Sequence, residues 1–305
     1  MSSRWRNTRH WIEYTSVRGA LALGGLIPIG AGQQMGAVLG RIGFDALRAR
    51  RDVSVANIEA ALNVGAHEAT QIARAAYSNW GRSLMECFAF SHYSKQQVLD
   101  LIRFEGMEHI ARLQAEGKGG MVIAPHLGNW ELWGVGLGAN GVPLHFLVGQ
   151  QTNERVDDVL NNLRSRHGVG IIKRAVALRR VLQLLGEGQF VATLPDQDAR
   201  KNGVMVEFLG RPASTVRGPA LFAIRRGCPI VPSYIRREGK RHVLTVEAPL
   251  YPREMASEED AVRDLTQRYS DRITAWVRAH PEEYFWAHRR WKTKASEPAL
   301  SQPVA

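Results

Sequence analysis

Met121-Val-Ile-Ala-Pro-His-Leu-Gly-Asn-Trp-Glu-Leu-Trp133 contains the end of a strand, a break and a helix start in immediate succession. The apolar run ends at Ala124 and Pro125 stops it, because proline has no N–H to give to a sheet. His126 therefore emerges at a strand's C-terminal edge, where open α/β sheets place their ligands. Glu131 follows early in a helix expected to begin near Gly128 or Asn129. On one continuous helix, five steps of ~100° would point the two side chains apart, so they meet only if His126 belongs to the preceding turn. A carboxylate bonded to one imidazole nitrogen fixes the tautomer and leaves the other nitrogen free as a base.

The flanking sequence repeats this alternation. Helical patterns cover 52–62, 67–90 and 107–115. Short apolar runs at 121–124, 144–148, 169–172, 190–194, 230–235 and 243–246 then alternate with helical stretches. That order predicts an α/β fold with a mostly buried central sheet flanked by helices. Ala261, Val262, Leu265, Tyr269, Ile273, Trp276 and Val277 recur at helical spacing and predict a core-facing helix. Gly134-Val-Gly-Leu-Gly-Ala139 formally fits a dinucleotide fingerprint, but it lies inside the expected helix rather than at a strand-to-helix turn.

Forty Lys plus Arg against 29 Asp plus Glu give a formal net charge of +11, which favours an anionic partner: nucleic acid, anionic lipid or an acidic carrier protein. Cys87 and Cys228 are too few for a disulfide-stapled fold and lack zinc-site spacing. Residues 1–51 carry Arg4, Arg6, Arg9, Arg18, Arg41, Arg48, Arg50 and Arg51 against Glu13 and Asp45. The apolar run Gly19–Gly30 is shorter than the ~20 residues a membrane-spanning helix needs, and Pro28 breaks it. Residues 9–50 are expected to form a helical hairpin lying on an anionic membrane. The alternative is a helix pair packed on the protein's own core. Residues 52–305 read as one domain behind this attachment segment.

Pro125-His126-Leu-Gly-Asn-Trp-Glu131 resembles the histidine–four–acid motif of glycerolipid acyltransferases, and its Glu is similar to the branch of bacterial lipid A biosynthesis (lauroyl/myristoyl) acyltransferases. Leu194-Pro-Asp-Gln-Asp198 with Gly203, then Phe208-Leu-Gly-Arg-Pro-Ala-Ser-Thr215, resembles that family's second block. His288-Arg-Arg-Trp-Lys-Thr293 resembles its C-terminal signature, so the likeness runs from about residue 10 to 294. It implies an acyltransferase at the cytoplasmic face of the inner membrane, peripheral or monotopic. Such an enzyme moves a fatty acyl chain from acyl carrier protein or acyl-CoA to a hydroxyl of a phosphorylated glycolipid such as a lipid A precursor. A thioester is already activated, so the chemistry asks for a base and oxyanion donors, with neither a covalent nucleophile nor a cofactor or metal. No G-x-S-x-G elbow is present.

His126 is assigned as the base and Glu131 as the group that orients it. Asp196 is the competing acid: it follows the strand Phe190–Leu194 and could reach the same site, or else it caps the next turn. Arg164, on a helix expected over Thr152–His167, is a candidate for an acceptor phosphate or an oxyanion, or else a solvated charge on a basic helix unless the fold turns it inward. The tail Tyr284–Lys294 mixes aromatics with cations, making Arg289 and Arg290 candidates for phosphorylated lipid. Its alternative packs Trp286 and Trp291 on the domain with the cations in water. Gly149-Gln-Gln-Thr152 and Glu207 depart from the lipid A pattern, so phosphatidylinositol mannoside or another glycolipid is an alternative acceptor. A basic nucleic-acid-binding protein is the rival of another class, although no recognition motif supports it and nucleic acid is not expected as a partner.

Overall fold

The computed structural model describes residues 3–149, 152–173 and 177–294. The strands are β1 (Ile102–Glu105), β2 (Gly120–Ile123), β3 (Leu144–Val148), β4 (Gly170–Lys173), β5 (Phe190–Thr193), β6 (Val204–Phe208), β7 (Arg211–Thr215), β8 (Ile230–Glu238) and β9 (Arg241–Val246). The main sheet has the order β1-β9-β8-β2-β5-β3-β4, and its neighbours run parallel except for the β8–β9 pair. β6 and β7 form a separate antiparallel ribbon, and neither they nor β1 were marked by the apolar runs in the sequence.

Every residue of β2 is buried, as a central parallel strand covered on both faces requires. Met121 and Ile123 face one apolar layer, with α9 (Ala177–Gly186), α10 (Gly218–Arg226) and α11 (Glu258–Ala279). Val122 and Ala124 face the other, with α6 (Glu108–Ala115), α7 (Trp130–Ala139) and Leu163 of α8 (Glu154–Arg166). The seven α11 positions singled out by their spacing are all buried. The glycines of α7 allow close packing rather than cofactor binding: a Cβ at Gly134 would lie 1.9 Å from the Phe146 ring.

The N-terminal helices α1 (Ser3–Gly24) and α2 (Ile29–Asp45) precede α3 (Arg51–Leu62), α4 (Ala66–Phe90) and the short α5 (Lys95–Leu99). Gly36 and Gly40 of α2 press on α4, where added Cβ atoms would fall 2.3 Å and 2.0 Å from the Gly81 and Tyr77 carbonyl oxygens. This small-residue seam permits backbone contact. The opposite side of α2 leaves Met35, Val38, Leu39 and Ile42 about half exposed in one helical stripe. No described helix is long and apolar enough to cross a membrane.

Candidate active site

Adjacent parallel strands β2 and β5 pair Ile123 with Thr193, and the chain leaves both at the same edge of the sheet. Ala124-Pro125-His126 follows one strand and Leu194-Pro195-Asp196 the other, so the two polar residues converge. Asp196 Oδ1 lies 2.7 Å from His126 Nδ1, and Asp196 Oδ2 accepts the His126 backbone N–H at 2.9 Å. Burial alone would raise the Asp196 carboxyl, but the His126 ring, these hydrogen bonds and Arg290 hold it below its ordinary value. An ionised carboxylate only accepts, so Nδ1 carries the hydrogen, and in the neutral imidazole the free lone pair is then on Nε2. The Gln197 amide nitrogen sits 3.4 Å from Nε2, and both residues line a cavity of about 370 Å³.

The expected contact between His126 and Glu131 is replaced by this one. Asn129 caps α7, its side chain accepting the Leu132 N–H at 3.0 Å, while Gly128 turns with φ +61°. A Cβ at Gly128 would lie 2.1 Å from the Ile235 carbonyl oxygen, so the turn needs glycine on both counts. Glu131 in the first turn then meets Arg164 of α8, which donates Nε and Nη2 to its two oxygens at 2.9 and 2.6 Å. Burial would lower the Arg164 guanidinium, but the Glu131 carboxylate outweighs it and raises it. Arg164 is thus a bidentate partner of Glu131 on the cavity wall, its cation 5.5 Å from the Phe146 ring centre.

The family model for bacterial lipid A biosynthesis acyltransferases matches residues 1–293. The chain belongs to this family. A phosphatidylinositol mannoside acyltransferase of Mycobacterium tuberculosis is 25% identical over 74% of this chain and 71% of its own length. The lipid A biosynthesis lauroyltransferase of Escherichia coli is 24% identical over 94% of this chain and 93% of its own. The solved 1-acyl-sn-glycerophosphate acyltransferase of Thermotoga maritima aligns with a TM-score of 0.36 and 15% identity, over 80% of this chain and 98% of that one.

In this lipid A acyltransferase family member the C-terminal signature straps the site together. Phe285 N–H donates to the His126 carbonyl at 2.9 Å, and Gly128 N–H donates to the Glu283 carbonyl at 3.0 Å. His288 Nε2 accepts the Asp198 N–H at 2.9 Å, and Thr293 Oγ1 donates to Asp198 Oδ2 at 3.0 Å. Arg290 is a correction: it is buried, and its guanidinium donates to the Ser214 carbonyl and Thr215 Oγ1, which leaves it out of reach of a lipid phosphate. It braces the loop that carries Asp196. Trp286 is buried and donates to the Pro281 carbonyl, whereas Arg289 remains exposed.

No motif in the sequence marks Gln197. Its signal was the repeated apolar-Pro-polar pattern at two strand ends. Gln150 and Gln151 lie outside the described residues. Glu207 sits on β6 with its N–H donating to Gln267 of α11, away from the residues lining the His126 cavity.

Proposed function

We propose that the protein transfers a fatty acyl chain from an acyl thioester, carried by acyl carrier protein or coenzyme A, to a hydroxyl of a phosphorylated glycolipid, with His126 as general base. The observation that carries this reading is the His126–Asp196 bond at 2.7 Å beside an open cavity. Nε2 takes the proton of the acceptor hydroxyl as its oxygen attacks the thioester carbonyl carbon. The tetrahedral oxyanion collapses and expels the thiolate, which receives the proton from His126; ester and free thiol result. The Gln197 amide, 3.4 Å from Nε2, is a donor available to the developing negative charge. A second cavity of about 270 Å³, walled by Trp80, Trp130, Tyr284 and Phe285, offers apolar surface to the acyl chain.

A lipid A precursor and a phosphatidylinositol mannoside are equally supported as acceptors, since relatives bear both names. The exposed stripe of α2, with Leu26 and Leu47 beside it and Arg41, Arg48 and Arg51 nearby in sequence, suits peripheral attachment to an anionic bilayer. We place the protein at the cytoplasmic face of the inner membrane on that reading. Acyl transfer from a radiolabelled thioester to extracted glycolipids, comparing the parent with His126→Ala, tests the reaction. Unchanged transfer by a folded His126→Ala protein would remove the base.

A further inference from the structure

A groove of about 1020 Å³ opens beside the His126 cavity, and Leu194 and Gln197 line both. Its walls carry Arg50 from the turn before α3, Arg200 from the turn after Asp198, Arg217 at the N-cap of α10, and Arg289 and Lys292 from the tail. Asp198 is the only carboxylate in that lining, and it already accepts from Thr293. Among the described residues no carboxylate lies within 4.0 Å of the charged groups of Arg50, Arg200, Arg289 or Lys292, whereas Arg217 pairs with Glu259 at 2.9 Å. Some surface arginines elsewhere, such as Arg74, Arg103, Arg112 and Arg225, have acidic partners, so what sets the groove apart is the convergence of its cations on one cavity. Four distant segments thus bring five cations together, four of them without an ion-pair partner among the described residues, and this like-charge cluster attracts an anion.

The geometry points to this groove as the site of the phosphorylated sugar head of the acceptor, an inference that rests on the acyl-transfer reading above. Guanidinium forks match phosphate oxygens in pairs, and the volume holds a sugar phosphate rather than a lone ion. Its cationic walls suit a charged head group rather than an acyl chain, for which the apolar cavity lined by Trp130 and Phe285 is available. A head group seated here brings its hydroxyl past Gln197 to His126 Nε2, so the same molecule presents anion and nucleophile.

The test uses the full chain and three proteins: the parent, Arg289→Glu/Lys292→Glu, and Arg112→Glu as an exposed control on α6. Calorimetric titration with glucose 1-phosphate and with glucose reports binding without any turnover. The parent should bind only the phosphate ester, the double variant should lose at least tenfold in affinity, and the control should match the parent. In acyl transfer the double variant should raise KM for the glycolipid acceptor at least tenfold and hold KM for the thioester donor within twofold. Equal binding of both sugars, no binding of either, or an unchanged acceptor KM overturns the inference. A rise confined to the donor KM overturns it too, by placing the donor's phosphates in the groove. A parent protein that transfers no acyl chain sinks the acyl-transfer reading instead, and the calorimetric arm then judges the groove alone.

Discussion

His126 and Asp196 each stand three residues beyond Ile123 and Thr193, two positions that face each other in register on adjacent parallel strands. Equal offsets past a proline bring the imidazole and the carboxylate to 2.7 Å, although the residues are 70 apart in the chain. The acid that orients the ring is thus chosen by strand pairing.

Replacing Asp196 by Asn should therefore cost about 10³-fold or more in kcat, because an amide can stabilise the wrong imidazole tautomer. Steady-state acyl transfer by the Asp196→Asn protein measures this, and a loss below tenfold would leave the ring without its orienting group.

Glu131 and Arg164 should behave as a structural pair. Each is mostly buried, so Glu131→Gln or Arg164→Met alone strands a charge and should destabilise by about 2–3 kcal/mol, below the fully buried limit because both remain partly solvated. The double substitution should cost less than the sum, with a coupling of about 1–2 kcal/mol in urea unfolding. Strict additivity would show that the pair does not brace the cavity.

Glu283 makes stability depend on pH. Burial pushes its carboxyl up to about 7 from an ordinary 4.5, and the single Arg237 backbone N–H shared by its two oxygens only partly offsets that. Between those values the folded protein keeps a proton that the unfolded chain has released, so this contribution falls as pH rises, by up to about 3 kcal/mol. Urea midpoints at about pH 5 and about pH 8 should differ less in Glu283→Gln than in the parent. Identical pH slopes would contradict the assignment.

The seam between α2 and α4 should not accept a larger side chain. A Cβ at Gly81 would sit 2.0 Å from the Gly36 carbonyl oxygen, so Gly81→Val should destabilise by about 3 kcal/mol and loosen α2. Limited proteolysis near residues 25–28 reads the loosening, and an unchanged cleavage rate would argue against backbone contact there.

Changing Val38, Leu39 and Ile42 together to Ser should weaken sedimentation with anionic vesicles by about a hundredfold, at about 1 kcal/mol per side chain. The stripe is exposed, so the thermal midpoint should hold. Undiminished vesicle binding would move attachment elsewhere.

The alternation of apolar runs and helical patterns determined the α/β class, and the spacing along Ala261–Val277 determined the buried face of α11, because both depend on local periodicity. The Pro125-His126 and His288–Thr293 blocks likewise carried the family. β1, β6 and β7 went unread because charged or polar residues interrupt each of them, as in Ile-Arg-Phe-Glu105 and Arg-Pro-Ala-Ser-Thr215, and none lies at the buried centre of the sheet, where apolar runs are unbroken. Tertiary structure alone decided that Asp196 meets His126, that Glu131 turns to Arg164, and that Arg290 is enclosed while Arg289 faces a groove. Those outcomes depend on which strands pair and how one helix start is rotated, and neither quantity is encoded in the local pattern of a single stretch of chain.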